Sequence, residues 1–376
     1  MIVQLIGRLG RGGAQRVACV LAAGIAETGA RSAAVALLAG GDAEAEGAAP
    51  AEIHCLGAER GNPATVLRAA ARLRRMIVRE GVRAVHVHGR DCLPVAVLAT
   101  RGLGSRRPVL AFTWHDSTSV LGGGRAALAL ARASLARCDL IYGSSASVAE
   151  RLGARAGLDT VSSFRNGVPI RPETTGLTAD PPLIVWLGRL VPEKDPEAFL
   201  EAIGALHASG RRVRAVLGGE SPSRDGRYRG ELEARAASMG LADVIRLPGW
   251  IDDPDAILRD AAITVQTSRS EGLSMALLEQ MMNGLAIVAT DVGDTGEVIQ
   301  PEETGLLVPA EDPAALVAAL ERVVDDVALR ERLGSTARAI AVEELSTVAM
   351  ARRALEAYDA AAGRRSAATS EGVAAT

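Results

Sequence analysis

The sequence predicts an α/β protein with two doubly wound domains, because short apolar stretches alternate with Ala-rich amphipathic stretches in two successive series. Residues 169–182 separate the two series; they contain four prolines and show little periodicity. At 376 residues the chain is long enough for two domains, each with its own core. In such folds ligands bind where the carboxyl ends of the parallel strands open into a cleft.

The first series fills residues 1–168, which we expect to form one domain. The apolar stretches predict strands at Ile2 to Ile6, Ala33 to Leu38, Ala84 to Val87, Val109 to Phe112, Leu140 to Tyr142 and Val161 to Phe164. The amphipathic stretches predict helices at Ala14 to Glu27, Thr65 to Arg79, Leu93 to Thr100, Arg125 to Ala136 and Ser147 to Ala156.

The second series predicts a domain at residues 183–346, after a linker at 169–182. Its strands are expected at Leu183 to Leu187, Val213 to Leu217, Val244 to Leu247, Ile263 to Val265 and Ala286 to Ala289. Its helices are expected at Pro196 to Ala208, Gly230 to Met239, Ser274 to Met282 and Pro313 to Val324. A last helix at 347–362 and a disordered tail at 363–376 complete the prediction.

Composition excludes several classes of function. The net charge of -3 and the aromatic content of 2% give no basis for a nucleic-acid-binding surface. Apolar residues are dispersed among Arg, Glu and Gly, so no stretch of about 20 apolar residues predicts a membrane span. With a strand beginning at Ile2 and no leader ahead of it, we expect a cytoplasmic protein. The four cysteines form no Cys-x-x-Cys pair, which predicts free thiols.

The most informative stretch places Glu271 just before a helix and Glu279 within that helix, with Gly272 at the turn. Eight residues of helix would separate the carboxylates by roughly 12 Å, whereas the carboxylate pair of a glycoside hydrolase lies about 5 to 9.5 Å apart. This spacing suits an elongated polar ligand whose anionic centre faces the helix start, as in a nucleotide diphosphate sugar. The alternative is two solvated glutamates beside an ordinary helix.

Five segments, in order, resemble motifs of the retaining glycosyltransferases of family 4, which have the GT-B fold of two Rossmann-like domains facing each other across a cleft. They are Gly10 to Arg16, Thr113 to Asp116, Asn166 to Val168, Gly188 to Lys194 and the Glu-x7-Glu stretch from Glu271 to Glu279. Gln15, Thr267 and Asp294 depart from the family pattern, which usually has Glu, Pro and Gly at these positions.

The resemblance implies a donor site in the second domain. Glu279 would accept the ribose hydroxyls, and Glu271 would bind hydroxyls of the donor sugar. The diphosphate would be held by Arg189, Lys194 and the helix start at Gly272, Leu273 and Ser274, with Gly12 and Gly13 approaching from the first domain. Trp250 would cover the base, although a buried structural indole is the alternative. Arg and Lys in a loop, and a glycine-rich turn, are by themselves common surface features.

The resemblance also implies that His115 contacts the transferred sugar, so that the catalytic set is His115, Arg189, Lys194 and Glu271. For the acceptor side we expect Arg16, His88 and Asn166. His86 and His88 lie two apart on a strand and so share a face, but no third ligand is evident in the sequence. We therefore favour acceptor contact or strand-end packing over a metal site.

The sequence thus predicts a retaining glycosyltransferase that needs no metal or other cofactor and moves a sugar from a UDP- or GDP-linked donor to a hydroxyl acceptor. That acceptor would be a lipid-linked glycan or a small molecule. An arginine-rich helix suggests peripheral contact with the inner face of the membrane; its arginines are Arg68, Arg72, Arg74, Arg75 and Arg79. Two alternatives stay open: a non-hydrolysing sugar-nucleotide epimerase and a non-catalytic sugar-nucleotide-binding scaffold.

Overall fold

The computed structural model describes residues 1–8, 13–38, 52–59, 62–115, 125–221 and 225–374. Its contacts divide the chain into two compact units. The first unit comprises Met1–Gly167 together with Leu345–Thr376, and the second comprises Val168–Glu344. The chain therefore returns to the first unit after completing the second.

The described part of the first unit forms a seven-stranded parallel sheet in the order β3-β2-β1-β4-β5-β6-β7. Its strands are β1 (Ile2–Ile6), β2 (Ser32–Leu38), β3 (Ile53–Ala58), β4 (Ala84–His88), β5 (Val109–Trp114), β6 (Leu140–Gly143) and β7 (Ser162–Ser163). The strand order reverses direction between β1 and β4, which is the switch point where doubly wound sheets bind ligands.

Helices cover this sheet, which explains why β1, β4 and β5 are fully buried and consist of apolar residues apart from Gln4, His86, His88 and Thr113. They are α1 (Gly13–Glu27), α2 (Pro63–Glu80), α3 (Leu93–Thr100), α4 (Arg125–Leu135) and α5 (Ala146–Ala156). The core of the unit contains Leu5, Val87 and Phe112 from the sheet, packed with Leu73 and Leu152 from α2 and α5.

The second unit repeats the same winding with a six-stranded parallel sheet in the order β10-β9-β8-β11-β12-β13. Its strands are β8 (Leu183–Leu187), β9 (Arg214–Gly218), β10 (Ile245–Gly249), β11 (Ile263–Gln266), β12 (Ala286–Thr290) and β13 (Leu306–Val308). Its helices are α6 (Pro196–Ala208), α7 (Arg227–Ser238), α8 (Pro254–Asp260), α9 (Met275–Asn283), α10 (Pro313–Asp325) and α11 (Val327–Glu344). The switch point here lies between β8 and β11.

The last helix, α12 (Thr347–Ala374), packs against α1 in the first unit. The contact is close: a Cβ added at Gly24 would lie 2.5 Å from the carbonyl oxygen of Thr347. The disordered tail expected at 363–376 is wrong as far as Ala374, because the helix continues through Gly363. One glycine costs a helix only about 1 kcal/mol relative to alanine, and the residues around it are strong helix formers.

The segment expected to be a linker lies along the second unit. Thr174 is buried, with its backbone N–H bonded 2.8 Å from the carbonyl oxygen of Asn283 and its hydroxyl bonded to Ala261. A Cβ at Gly176 would lie 2.2 Å from the carbonyl oxygen of Asp260, so only glycine permits this approach. The segment lacks regular structure, as predicted, but it is anchored by these contacts.

No helix within the described ranges combines the length and the apolar character that crossing a bilayer requires.

Candidate functional site

A cavity of about 270 Å³ opens at the switch point of the second unit. It is bounded by the ends of β8 and β11 and by the first turn of α9. Its lining residues include Gly188, Arg189, Lys194, Ser268, Ser274, Met275 and Ala276. The two cations predicted to hold a diphosphate and the predicted helix start therefore meet in one cavity.

Lys194 forms an ion pair with Glu271, and both side chains are largely buried. Ser268 donates a further hydrogen bond of 3.4 Å to Glu271 Oε2. Burial and then the positive charge of Arg189 lower the pKa of Lys194 to about 8, while its contact with Glu271 acts in the opposite direction. Arg189 is exposed, and its guanidinium has no hydrogen bond or ion pair with any described residue, although its backbone carbonyl accepts a hydrogen bond from the N–H of Val191. The cavity thus has one neutralised cation and one open cation.

The start of α9 supplies a second source of positive potential. Ser274 caps the helix by accepting a hydrogen bond of 3.4 Å from the backbone N–H of Leu277. The N–H groups of Met275 and Ala276 lie in the first turn, where they have no partner within the helix. Gly272 and Leu273 lead into this turn and are half-buried. An anion in the cavity would meet these N–H groups and the positive end of the helix dipole.

Glu279 lies on α9 and is 8% exposed. Its carboxylate accepts a hydrogen bond of 3.3 Å from Arg171 Nη2, and Arg171 also pairs with Asp255. Sequence reasoning missed Arg171, because it assigned this arginine to a linker 108 residues away from Glu279. The guanidinium fixes the carboxylate between α8 and α9, so the orientation of Glu279 is set before any ligand binds.

Thr267, one of the three departures from the family pattern, holds the loop that carries Lys194. Its hydroxyl accepts a hydrogen bond of 2.9 Å from Trp186 Nε1 and lies 2.9 and 2.7 Å from the carbonyl oxygens of Lys194 and Asp195. Arg269 then pairs with Asp195 at 2.8 Å. Asp195 has a left-handed backbone with φ of 47°, a conformation that these contacts stabilise.

The backbone explains why another departure is tolerated. Gly293 has φ of +55°, and a Cβ added there would lie 1.9 Å from the carbonyl oxygen of Glu271. Glycine is therefore required at this position to let the Glu271 loop pass. Asp294, where the family pattern has a second glycine, has φ of −106°, which any residue adopts.

A larger cavity of about 480 Å³ lies behind the Lys194 loop, next to Asp195, Thr267 and Arg269. Its other charged lining residues are mostly acidic: Glu197, Glu201, Glu311 and Asp312, with one further cation, Arg235. Carboxylates repel a diphosphate, so the smaller cavity is the better candidate for that group despite its size.

Trp250 follows β10 at the edge of the sheet. It is 53% exposed, and its Nε1 donates a hydrogen bond of 2.9 Å to Asp252. The buried alternative is thus wrong, whereas contact with a base stays a prediction.

In the first unit, the predicted His115 belongs to a buried polar cluster at the carboxyl ends of β4 and β5. His88 Nδ1 lies 3.0 Å from His115 Nε2, and His88 Nε2 lies 2.9 Å from Gln4 Oε1. His86, stacked on His88 with ring centroids 4.4 Å apart, contacts Tyr358 and Thr113 at 2.7 Å each. His86 and His88 share one face of β4, as the alternation predicts.

Burial lowers the pKa values of all three histidines, to about 3 for His86 and about 4 for His115. For His88 burial is also the largest cause, followed by the neighbouring imidazoles, and the pKa lies well below its usual value. The cluster is therefore neutral at pH 7. Both ring nitrogens of His88 already form hydrogen bonds, and the residue is 3% exposed. The ring therefore has no polar atom left for the predicted direct contact with the acceptor substrate.

The other residues predicted near the acceptor or the donor sugar are distributed as follows. Asn166 is buried, and its Oδ1 has no hydrogen bond within the part of the chain that the structure describes. Arg16 lies in the first turn of α1 and is half-buried. Gly13 begins α1, and a Cβ added there would meet nothing within 4 Å. Gly12 lies outside the described residues, as do residues 9–11 and Asp116.

Among the described side chains, no group of three or more His, Cys, Asp and Glu residues is arranged to hold a metal ion.

The neutral histidines predict acid sensitivity. Unfolded histidines titrate near pH 6.5, so protonation below that pH favours the unfolded state, and stability is lost as pH falls from 6.5 toward 4. Three such groups would cost about 3 kcal/mol between pH 6.5 and 5.5. Denaturant unfolding at both pH values measures this loss. His86→Gln, which keeps polar groups beside Tyr358 and Thr113, should reduce it by about one third. Equal stability at the two pH values would contradict the neutral cluster.

Two family models match consecutive parts of the chain. The model described as Glycosyltransferase Family 4 matches residues 11–171, and the model described as Glycosyl transferases group 1 matches residues 170–340. Together they span both units, and the chain belongs to the glycosyltransferases of family 4.

Curated relatives match over part of their length. An alpha-D-kanosaminyltransferase of Streptomyces kanamyceticus is 31% identical over 160 residues, which are 42% of this chain and 40% of that protein. A D-inositol 3-phosphate glycosyltransferase of Acidothermus cellulolyticus is 34% identical over 226 residues, which are 57% of this chain and 49% of that protein. The chain thus spans about two fifths to one half of these relatives.

Solved structures share the fold over nearly the whole chain. HepE of Anabaena in complex with UDP has a TM-score of 0.76 at 18% identity, covering 96% of this chain and 100% of that chain. A glycosyltransferase of Rickettsia africae has a TM-score of 0.77 at 17% identity, covering 96% of this chain and 98% of that chain. At such low identity the likeness concerns the fold alone, which is GT-B.

Proposed function

We propose that this protein transfers a hexosyl-type sugar from a UDP- or GDP-linked donor to a hydroxyl acceptor, with retention of anomeric configuration and without a metal ion. The carrying observation is the cavity that combines Arg189, Lys194 and the first turn of α9. Each of these groups favours negative charge, and together they fit the two phosphates of the donor.

The cavity accounts for the diphosphate and not for the whole donor. Its volume of about 270 Å³ is below the range of roughly 300 to 1,000 Å³ common for complete ligand sites. The ribose would extend toward Glu279, whose carboxylate is held by Arg171 and can accept from two hydroxyls. HepE has been crystallised with UDP and with UDP-glucose, which makes UDP-glucose the first donor to test.

In the proposed reaction the sugar–phosphate bond breaks as the acceptor oxygen attacks from the same face. Charge develops on the leaving diphosphate, where Arg189, Lys194 and the helix N–H groups stabilise it. The departing phosphate takes the proton of the acceptor hydroxyl, so no protein nucleophile is required. Glu271 binds hydroxyls of the sugar. These hydroxyls replace Lys194 as the partner of Glu271 when Lys194 pairs with the diphosphate. Retention and independence from metal rest on the resemblance to the family.

The acceptor belongs to the proposal only as a class, a hydroxyl on a lipid-linked glycan or a small molecule. The irregular loops at residues 40–50 and 120–124, where we expect it to be gripped, lie outside the described residues. Contact with a membrane surface through the arginines of α2 remains part of this proposal.

Isothermal titration with UDP, GDP and their hexose and N-acetylhexosamine conjugates, each with and without EDTA, tests the proposal. We expect one conjugate to bind with a Kd of about 1 μM to 1 mM, unchanged by EDTA. Binding that EDTA abolishes would contradict the metal-independent site. Conversion of UDP-N-acetylglucosamine without any acceptor would identify an epimerase, and binding without transfer across an acceptor panel would favour a scaffold.

A further inference from the structure

The buried cluster of the first unit contains a hydrogen-bond chain that ends at His115. The chain runs from Gln4 Oε1 to His88 Nε2 at 2.9 Å, and from His88 Nδ1 to His115 Nε2 at 3.0 Å. Gln4 and His88 are 0% and 3% exposed, so water does not compete for these atoms. Each imidazole is neutral and carries one ring proton. The nitrogen that is protonated in one ring therefore determines which nitrogen is protonated in the next ring.

The carbonyl oxygen of Gln4 can only accept. His88 must therefore donate from Nε2, which leaves its Nδ1 as an acceptor for the proton on His115 Nε2. His115 then has an unprotonated Nδ1. No described residue forms a hydrogen bond with that atom.

The opposite state of the chain requires the Gln4 amide to be rotated. Its nitrogen would then donate to His88, His88 would donate to His115, and His115 would carry its proton on Nδ1. The two states are each self-consistent, so the orientation of one amide decides what His115 offers to a ligand.

The structure has the first orientation. The amide atom that faces His88 is the oxygen, with Gln4 Oε1 2.9 Å from His88 Nε2. Gln4 Nε2 has no hydrogen-bond partner among the described residues, so the amide acts on the chain through its oxygen alone.

We propose that Gln4, acting through His88, sets His115 as the Nε2–H tautomer, so that His115 offers Nδ1 as a hydrogen-bond acceptor to a hydroxyl of the bound sugar. Gln4 and His88 are positioning residues in this arrangement. The consequence is a specificity: the site takes a ligand group that donates a hydrogen bond and rejects one that only accepts. The tautomer stands on the structure alone, whereas its role toward a sugar rests on the proposed function.

Ring-nitrogen NMR of the full chain, labelled with ¹⁵N-histidine, tests the tautomer without any substrate. The protein has 5 histidines, so the spectrum can be assigned, and the exposed His54 and His207 serve as references. We expect a pyridine-like Nδ1 and a pyrrole-like Nε2 for His115. A protonated Nδ1 on His115 would overturn the proposal.

Gln4→Leu removes the amide and should give His115 a mixture of both tautomers. Thr113→Val is the matched control, because it deletes an equally buried hydrogen bond on the His86 branch. It should leave the His115 tautomer unchanged. A folded Gln4→Leu protein that keeps a single Nε2–H tautomer would show that Gln4 does not set it.

The functional consequence is measured with UDP-glucose and its deoxyfluoro analogues. We expect Gln4→Leu to lower kcat/KM for UDP-glucose about 10-fold while the affinity for UDP itself stays constant. In the wild type, fluorine at the hydroxyl that meets His115 should cost more than at other positions. If His115 has the expected tautomer but no donor turns over, the proposed function fails and the tautomer assignment stands. Turnover with equal tolerance of fluorine at every position would overturn the role toward the sugar.

Discussion

Lys194→Gln and Glu271→Gln are expected to change the affinity for UDP in opposite directions. The two side chains form an ion pair in the ligand-free cavity, so a diphosphate must compete with Glu271 for Lys194. Removing the lysine deletes a cation that the ligand needs. Removing the charge of Glu271 leaves that cation open to the ligand.

The magnitudes follow from the strength of charged hydrogen bonds. Loss of Lys194 should weaken UDP binding about 10- to 100-fold and slow sugar transfer about 10²- to 10³-fold, because charge on the leaving group is then less stabilised. Glu271→Gln should tighten UDP binding about 3- to 10-fold. It should nevertheless slow transfer, since Glu271 is proposed to bind the sugar.

Titration calorimetry with UDP at pH 7.0 and initial rates with UDP-glucose distinguish these outcomes. Lys194→Arg keeps the charge and should retain most of the affinity. Arg212→Gln is the control for a general loss of charge, because Arg212 pairs with Asp180 on the surface of the same unit and is 75% exposed. Weaker UDP binding in Glu271→Gln would contradict the competition.

The pH dependence provides a second readout. The pKa of Lys194 is lowered to about 8, so the ammonium is lost as the pH rises through that value. UDP affinity of the wild type should therefore fall between pH 7 and 9. Lys194→Arg, which stays charged, should remove this part of the fall.

The alternating pattern predicted both sheets because parallel strands covered on two faces are continuously apolar. β3 was missed because its first three residues, Ile53, His54 and Cys55, are exposed at the sheet edge and two of them are not strongly apolar. α11 was missed because it has no sharp division into apolar and polar faces. Local pattern thus identified strands that are continuously apolar and helices with one apolar face. It missed β3 and α11, which have neither feature.

The candidate site likewise contains residues that local sequence identifies and residues that it does not. Arg189, Lys194 and the start of α9 follow strand ends, so a parallel sheet brings them together and the sequence motifs identify them. Gln4 and Tyr358 belong to no motif, and Tyr358 reaches His86 only because α12 returns across 272 residues. A contact of that kind depends on the tertiary fold and cannot be inferred from local sequence.

The departures from the family pattern also gain a physical meaning. A proline at position 267 has no hydroxyl, and it could not bond to Trp186 Nε1 or to the carbonyl oxygens of the Lys194 loop. Thr267 therefore secures the loop in a different way instead of weakening it. The departure at position 267 therefore gives no support to a non-catalytic scaffold.

Glu279→Gln is expected to weaken the binding of UDP and of UDP-glucose by the same factor, about 10- to 100-fold. The reason is that Glu279 is proposed to accept from the ribose, which both ligands share. A carboxylate accepts from two hydroxyls, whereas the amide has one accepting oxygen and presents donors to the other. Glu271→Gln, by contrast, should affect the two ligands differently, because only one of them carries the sugar.

Stability must be separated from binding in this variant, because Glu279 also pairs with Arg171 at 3.3 Å. Glu173→Gln is the matched control: Glu173 is 58% exposed and pairs with Arg338 at 3.5 Å in the same unit. It should leave UDP affinity unchanged. Calorimetry well below the melting temperature of each variant measures binding by the folded protein. A folded Glu279→Gln protein with wild-type UDP affinity would remove the ribose assignment. The Arg171–Glu279 pair would then be a structural contact between α9 and the segment before β8.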